Sequence, residues 1–193
     1  MLILGTLGIT NSIAEENKMA LSLEKQLIRD EGMRLDVYLD HLGKPTVGVG
    51  HLVLPQDKLK VGDKISHSKA LQYFRKDIKT SQKDAKIFVG ADTFEGMSKN
   101  MQNVVTNMAF NLGATRLGKF KKLKAALQKG DYKEAAKEMK DSKWYKQVPN
   151  RAERLISVVM DEAMAVEKGD MIFIEAYTRT DGVRIPAHYR KKA

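Results

Sequence analysis

The chain has 193 residues, of which 42% are hydrophobic and 30% charged, with no cysteine and a formal charge of +10 at neutral pH. The length suits one domain with a small appendage, and the apolar content excludes a disordered chain. The lack of cysteine excludes disulfides and cysteine-based zinc sites, while the charge favours polyanions: nucleic acid, teichoic acid, lipopolysaccharide or peptidoglycan with its free carboxylates.

Residues 1–9 are apolar but too short for a spanning helix, which needs ~20 such residues. Asn11 and Ser12 interrupt the run and no basic stretch precedes it, so residues 1–20 are expected to be a leader or linker. A signal-anchor is the alternative. Ser22 is placed to cap a helix whose Leu23, Leu27 and Ile28 share a face, with Gly32 ending it and Glu31 in its last turn. A strand is expected over residues 35–39, a turn at His41-Leu42-Gly43, and a glycine-laced returning strand over 46–50. Residues 55–64 read as a polar loop with room for one short strand.

From Ser66, a cap, the period becomes helical through Ala70, Leu71, Phe74 and Ile78. Residues 90–96 read as a helix–helix junction. Met97, Met101, Val104, Val105, Met108, Ala109 and Leu112 then mark a central helix that Gly113 stops. Its methionines are core, not a cofactor site. A helix with Phe120, Leu123 and Leu127 ends at Gly130. Asp131 and Glu134 open another with Tyr132, Ala135, Ala136 and Met139, and Asn150 is placed to cap the last long helix. The predicted architecture is α+β: a small β-containing N-terminal lobe joined by a long helix to an all-α C-terminal lobe. A cleft between two lobes is a common place for a site. Residues 169–193 read as an appended hairpin, with Thr180-Asp181-Gly182 at its turn and a basic end of Arg184, His188, Arg190, Lys191 and Lys192.

The chemistry concentrates between Glu31 and His51. Cutting a glycosidic bond takes a protonated acid at the leaving oxygen and a carboxylate on the other face of the ring. The partial negative charge at a helix C-terminus, and partial burial between lobes, both favour a protonated Glu31. Asp40, beside a turn and more solvated, is expected to be ionised. Two carboxylates in unlike environments divide the acid and base roles. Thr46 stands across the turn, where its hydroxyl and Asp40 would hold a water. Either carboxylate alone would ordinarily be structural. The combination of a helix-end Glu, a turn Asp and Thr-x-Gly-x-Gly-His is a demanding coincidence.

Glu31-Gly32, Tyr38-x-Asp40 and Thr46-x-Gly48-x-Gly50-His51 closely resemble the phage-type lysozymes, glycoside hydrolase family 24. The resemblance continues through Asn107-Met108-Ala109-Phe110-Asn111-Leu112-Gly113, and through Ser142-Lys143-Trp144-Tyr145 with Pro149-Asn150-Arg151-Ala152-x-Arg154, so that it covers about residues 21–165. It implies a two-lobed lysozyme-like fold over 21–168, no cofactor or metal, and hydrolysis of the β-1,4 bond between N-acetylmuramic acid and N-acetylglucosamine. By match, Glu31 is the proton donor, Asp40 the second carboxylate and Thr46 its partner in placing water. Inversion is the first expectation, and it asks for carboxyls ~6.5–9.5 Å apart.

The resemblance also implies supporting roles. His51 would pair with Asp77, and Arg151 would restrain Glu31. Leu52 and Phe110 match sugar-contacting positions, and Asn111 stands where the family's type member has glutamine. Trp144 is read as core. Two further contact positions hold Leu123 and Glu138, a departure that bears on substrate recognition and not on the chemistry. The expected partner is bacterial peptidoglycan, met by a monomer. Accumulation in the host cytoplasm with holin-dependent release, carriage in the virion, and tethering through residues 1–9 are the three routes open. A murein-binding structural protein, a nucleic-acid binder and a membrane-disrupting chain are the competing readings. Nucleic acid is not expected, because no stacking aromatics interleave with the basic run.

Overall fold

A computed structural model describes residues 22–174, 177–180, 182–185 and 188–191. The expected leader, together with Ala176, Asp181 and Lys192, lies outside them. The first unit runs to Leu71 and the second begins at Gln72. The first is a helix, a small sheet and the start of a long helix; the second is helical with a terminal β-ribbon. The fold is therefore α+β, mostly helical, with its three-stranded antiparallel sheet near the N-terminus.

In the first unit α1 (Leu23–Glu31) begins at Ser22, whose Oγ accepts the Lys25 amide at 3.4 Å, and Leu23 and Leu27 are its buried face. Gly32 ends it at φ 73°, a conformation that costs glycine least. Strands β1 (Arg34–Leu39), β2 (Pro45–Gly48) and β3 (His51–Leu52) follow in sheet order β1-β2-β3. The glycine-laced segment is thus two strands and not one. Gly48 and Gly50 take φ 68° and 71° and turn the chain between them. A Cβ on Gly48 would stand 3.5 Å from that of Ala70, so the sheet packs closely against the start of the next helix. Val37, Val47, Val49 and Ala70 are at most 1% exposed and form this unit's core. The polar loop contains one 3₁₀ turn, Pro55–Asp57. It returns beside β1, where Asp36 and Lys64 form an isolated bridge, Val37 N–H donates to Asp63 at 2.8 Å and Ile65 N–H to Leu35 at 2.8 Å.

Helix α2 (His67–Val89) starts at Ser66, whose Oγ accepts the Lys69 amide at 3.1 Å. The expected junction contains a short helix, α3 (Ala91–Gly96). Helix α4 (Lys99–Leu117) is the centre of the second unit's core: Met101, Val104, Val105, Met108 and Ala109 are buried, and so are Thr106 and Asn107 on the other sides. Gly113 breaks its backbone at φ 69°, ψ 162°, but hydrogen bonding resumes as far as Leu117. Gln102 Nε2 donates to the Phe94 and Met97 carbonyls, and Gln128 Nε2 to the Val89 carbonyl at 2.9 Å. These bonds satisfy helix-end acceptors that the helices cannot satisfy themselves.

Helices α5 (Lys121–Lys129), α6 (Tyr132–Lys140), α7 (Lys143–Gln147) and α8 (Pro149–Glu167) complete the bundle. Asp131 caps α6 as read, through the Glu134 amide at 3.0 Å. Asn150 does not cap α8: Pro149 occupies the first turn, where its fixed φ and missing N–H suit the helix start, and Val148 precedes it.

Strands also stand where the sequence suggests an appended hairpin. β4 (Met171–Ile174) pairs with β7 (His188–Lys191), and β5 (Tyr177–Thr178) with β6 (Arg184–Ile185). These are two two-stranded antiparallel sheets. Of the expected basic end, Arg184 lies on β6, and His188, Arg190 and Lys191 lie on β7. No helix among the described residues is long and apolar enough to cross a membrane.

Candidate active site

Glu31, Asp40, Thr46, His51 and Leu52 all lie in the first unit. Glu31 is the last residue of α1 and is exposed. A Cβ built on Gly50 would lie 3.9 Å from Glu31 Oε2, so the carboxyl faces the turn between β2 and β3.

Asp40 follows β1 and closes the turn that leads to β2. Its Oδ1 accepts two amides, from Leu42 and Lys44, both at 2.8 Å. The Asp40 amide in turn donates to the Lys44 carbonyl at 2.9 Å. The Lys44 amide bond holds the carboxyl below its ordinary value; partial desolvation opposes it, and the Leu42 amide, His41 and Lys44 add to the lowering.

Thr46 sits on β2, 6% exposed, paired with Tyr38 on one side and Leu52 on the other. Directly paired residues share a face, so Tyr38, Thr46 and Leu52 form a row across the sheet. Thr46 Oγ1 donates to the Lys44 carbonyl at 3.2 Å. One peptide segment, that of Lys44, therefore orients both Asp40 and Thr46. Leu52 is 43% exposed at the end of the row. Arg34 supports its other end, stacking 4.3 Å over the Tyr38 ring and bonding Asp36 at 2.7 and 3.1 Å.

His51 is 5% exposed, and its Nε2 lies 3.3 Å from Asp57 Oδ2. The same oxygen accepts the Leu54 amide at 2.7 Å, which ties the 3₁₀ turn to β3. Asp57 is a partner that the sequence reading did not name, although Pro55 two residues earlier marks the turn that presents it. Asp77 lies half-buried on α2. Among the described residues no group of three or more histidines and carboxylates is placed to hold a metal.

Phe110, Asn111 and Arg151 lie in the second unit. Phe110 is half-buried and meets Phe74 edge-on, with centroids 5.9 Å apart. Asn111 Oδ1 accepts Trp144 Nε1 at 2.8 Å, which orients the amide and leaves its two N–H donors for other partners. Trp144 is 3% exposed and packs edge-on against Phe120. Arg151 is 5% exposed on α8. Leu123 and Glu138 both line a cavity of about 670 Å3, with Phe120 and Trp144 among its apolar walls. Lys122 Nζ lies 3.8 Å from the Glu138 carboxylate.

Residues 29–157 match the phage lysozyme family. The chain is 31% identical over 170 residues to the pre-baseplate central spike protein Gp5 of Enterobacteria phage T4, an alignment covering 78% of this chain and 29% of that protein. It is 32% identical over 161 residues to probable T4-type lysozyme 1 of Dictyostelium discoideum, covering 73% of this chain and 95% of the relative. Probable T4-type lysozyme 2 of the same organism is 32% identical over 160 residues, with coverage of 72% and 94%. The chain belongs to the phage lysozyme family, and with it to the lysozyme-type glycoside hydrolases.

Proposed function

We propose that the chain is a muramidase that cuts the β-1,4 bond between N-acetylmuramic acid and N-acetylglucosamine in bacterial peptidoglycan, with inversion. The observation that carries the reading is the shared tether of Asp40 and Thr46 to the Lys44 main chain. Asp40 Oδ1 already accepts two amides, so Oδ2 is the oxygen offered to water. The Thr46 hydroxyl hydrogen is directed at the Lys44 carbonyl, so its oxygen offers lone pairs. A water that donates one hydrogen to each turns its own lone pair towards the anomeric carbon. As the new C–O bond forms, the water's proton passes to Asp40. Glu31 gives its proton to the departing glycosidic oxygen, whose bond to the anomeric carbon breaks. The phage lysozyme match and the T4-type lysozyme relatives support this substrate.

The test is proton NMR of the fresh product anomer, with wild type and Glu31→Gln on purified sacculi. An inverted anomer from wild type and a loss of about 10²-fold or more in the variant are expected, the range for removing a general acid. Equal clearance by the two proteins would sink the proposal.

For the route to the wall, release from the host cytoplasm at lysis is one reading. Similarity to a protein named as a phage central spike supports a second, in which the enzyme travels in the virion. Purified particles that retain the chain after a high-salt wash would favour the second, and recovery only from the lysed-cell supernatant the first.

A further inference from the structure

Helix α2 carries a cationic stripe that the catalytic scheme does not use. Lys76, Lys79 and Lys83 stand at i, i+3 and i+7, on one helical face, and all three are exposed. They span about 10 Å along the axis at 1.5 Å per residue. Among the described residues none of the three ammonium groups is paired with a carboxylate. Arg75 is exposed on one flank, while Asp77 and Asp84 are half-buried on the other. Lys86 is different: it bonds Glu95 and lies 5.7 Å over the Phe94 ring, so its charge is used within the fold. The buried face of the helix holds Tyr73, Phe74, Ile78, Ala85, Phe88 and Val89. Three lysines in register, with no compensating acid among them, create a local positive field beyond what packing asks of this face.

We propose that this stripe is a docking surface for the stem-peptide carboxylates of peptidoglycan, holding the enzyme on the sacculus between cuts. The proposal rests on the muramidase reading for its choice of partner. A lysine ammonium is a hydrated point charge on a flexible stem, suited to carboxylates that vary in position along a meshwork. Nucleic acid fits the stripe less well. Its three aromatics, Tyr73, Phe74 and Phe88, are at most 7% exposed and offer no face on which a base could stack.

The experiment measures retention of the full chain carrying Glu31→Gln on sacculi stripped of phosphate polymers, as a function of salt. The stripe variant adds Lys76→Gln, Lys79→Gln and Lys83→Gln. A control variant adds Lys129→Gln, Lys140→Gln and Lys146→Gln, at exposed positions on other helices. Glutamine keeps helix propensity close to that of lysine. The stripe variant is expected to bind about tenfold more weakly at low salt and to show a shallower salt dependence. The control is expected to stay near the parent. Amidating the sacculus carboxylates should reproduce the loss with the stripe intact. Equal retention of stripe and control variants overturns the proposal, as does undiminished binding to amidated sacculi or tighter binding to duplex DNA than to sacculi. Cleavage of soluble murein fragments by the chain with Glu31 intact is measured alongside. Failure there counts against the muramidase reading and leaves the binding result standing.

Discussion

Asp40 and Lys44 hold each other reciprocally: the Asp40 amide donates to the Lys44 carbonyl at 2.9 Å, and the Lys44 amide donates to Asp40 Oδ1 at 2.8 Å. The carboxylate is thus the acceptor that closes its own turn, besides the role proposed for it in catalysis. The two functions separate by substitution. Asp40→Asn keeps an oxygen acceptor but loses the charge, so it should keep the turn, give up the part of its stability that comes from the ionised carboxylate, and lose turnover. Asp40→Ala loses the acceptor as well and should unfold at a lower temperature than the Asn variant. Thermal unfolding beside a sacculus-clearing assay separates the two effects. Equal unfolding temperatures for the Asn and Ala variants would refute the structural role.

The same bonds set a pH dependence. The Lys44 amide, followed by that of Leu42, favours the ionised carboxylate, and His41 and Lys44 add weaker attraction. The folded-state pKa is lowered, so the stabilisation is present above the unfolded aspartate value of about 3.9 and is lost as pH falls through the folded value. Asp40 should titrate below about 3.9 when followed by carbonyl-carbon NMR. Lys44→Ala should leave most of the shift in place, because its main cause is the main-chain N–H. A titration at or above the ordinary value in wild type would contradict the geometry.

Thr46 offers a cleaner test of water placement. Thr46→Val keeps the branched shape that β2 buries, where the side chain is 6% exposed, but removes the oxygen that would accept from water. Thr46→Ser keeps that oxygen. The valine variant is expected to lose about 10²-fold in kcat, comparable to a misplaced reactant, with KM little changed. The serine variant should retain most activity. A valine variant with near-normal kcat would remove Thr46 from the mechanism.

Much of this site can be read in the sequence, and the unread part has a physical reason. Glu31 is placed by Ser22 and Gly32, whose capping and turn chemistry is written in residue type. The central helix is legible through its methionine and valine spacing. Lys44 is not legible, because its contribution comes from a main-chain N–H and C=O that every non-proline residue possesses. The available clue is Asp40 three residues before Gly43, an aspartate-initiated turn. Asn150 misleads because capping preference is local, and Pro149 beside it has the stronger claim on the helix start. The split of residues 46–50 into two strands follows from positive φ at Gly48 and Gly50, where glycine marks a reversal and not a tolerated gap.

Gly50 connects that reversal to Glu31. Its φ of 71° is costly for other residues, whereas an added Cβ would meet Glu31 Oε2 at 3.9 Å, an ordinary contact. Strain and not collision should decide the outcome. Gly50→Ala is expected to lose ~1–2 kcal/mol of stability, the cost of a left-handed L-residue. Trimming Glu31 to alanine in the same chain should not recover it. A double variant that regained wild-type stability would show that contact with Glu31 was the cause.

Glu162 gives the second unit a pH dependence of opposite sign. Its side chain is 7% exposed on α8, and it hydrogen-bonds the hydroxyl of Ser98, the residue that caps α4 through the Met101 amide at 3.2 Å. Burial raises the carboxyl's pKa, and the Ser98 bond offsets only part of that. The folded state therefore prefers the protonated form. For a carboxyl shifted upwards, stability is greatest below the unfolded value of about 4.3 and declines as pH rises towards the folded value. Glu162→Gln preserves the shape and a polar contact to Ser98 without the ionisation. Relative to wild type, the variant should gain stability between pH 4 and neutrality, with little effect on turnover. Urea unfolding across that range reads the difference directly. A constant offset between the two proteins at every pH would show that Glu162 does not titrate with folding.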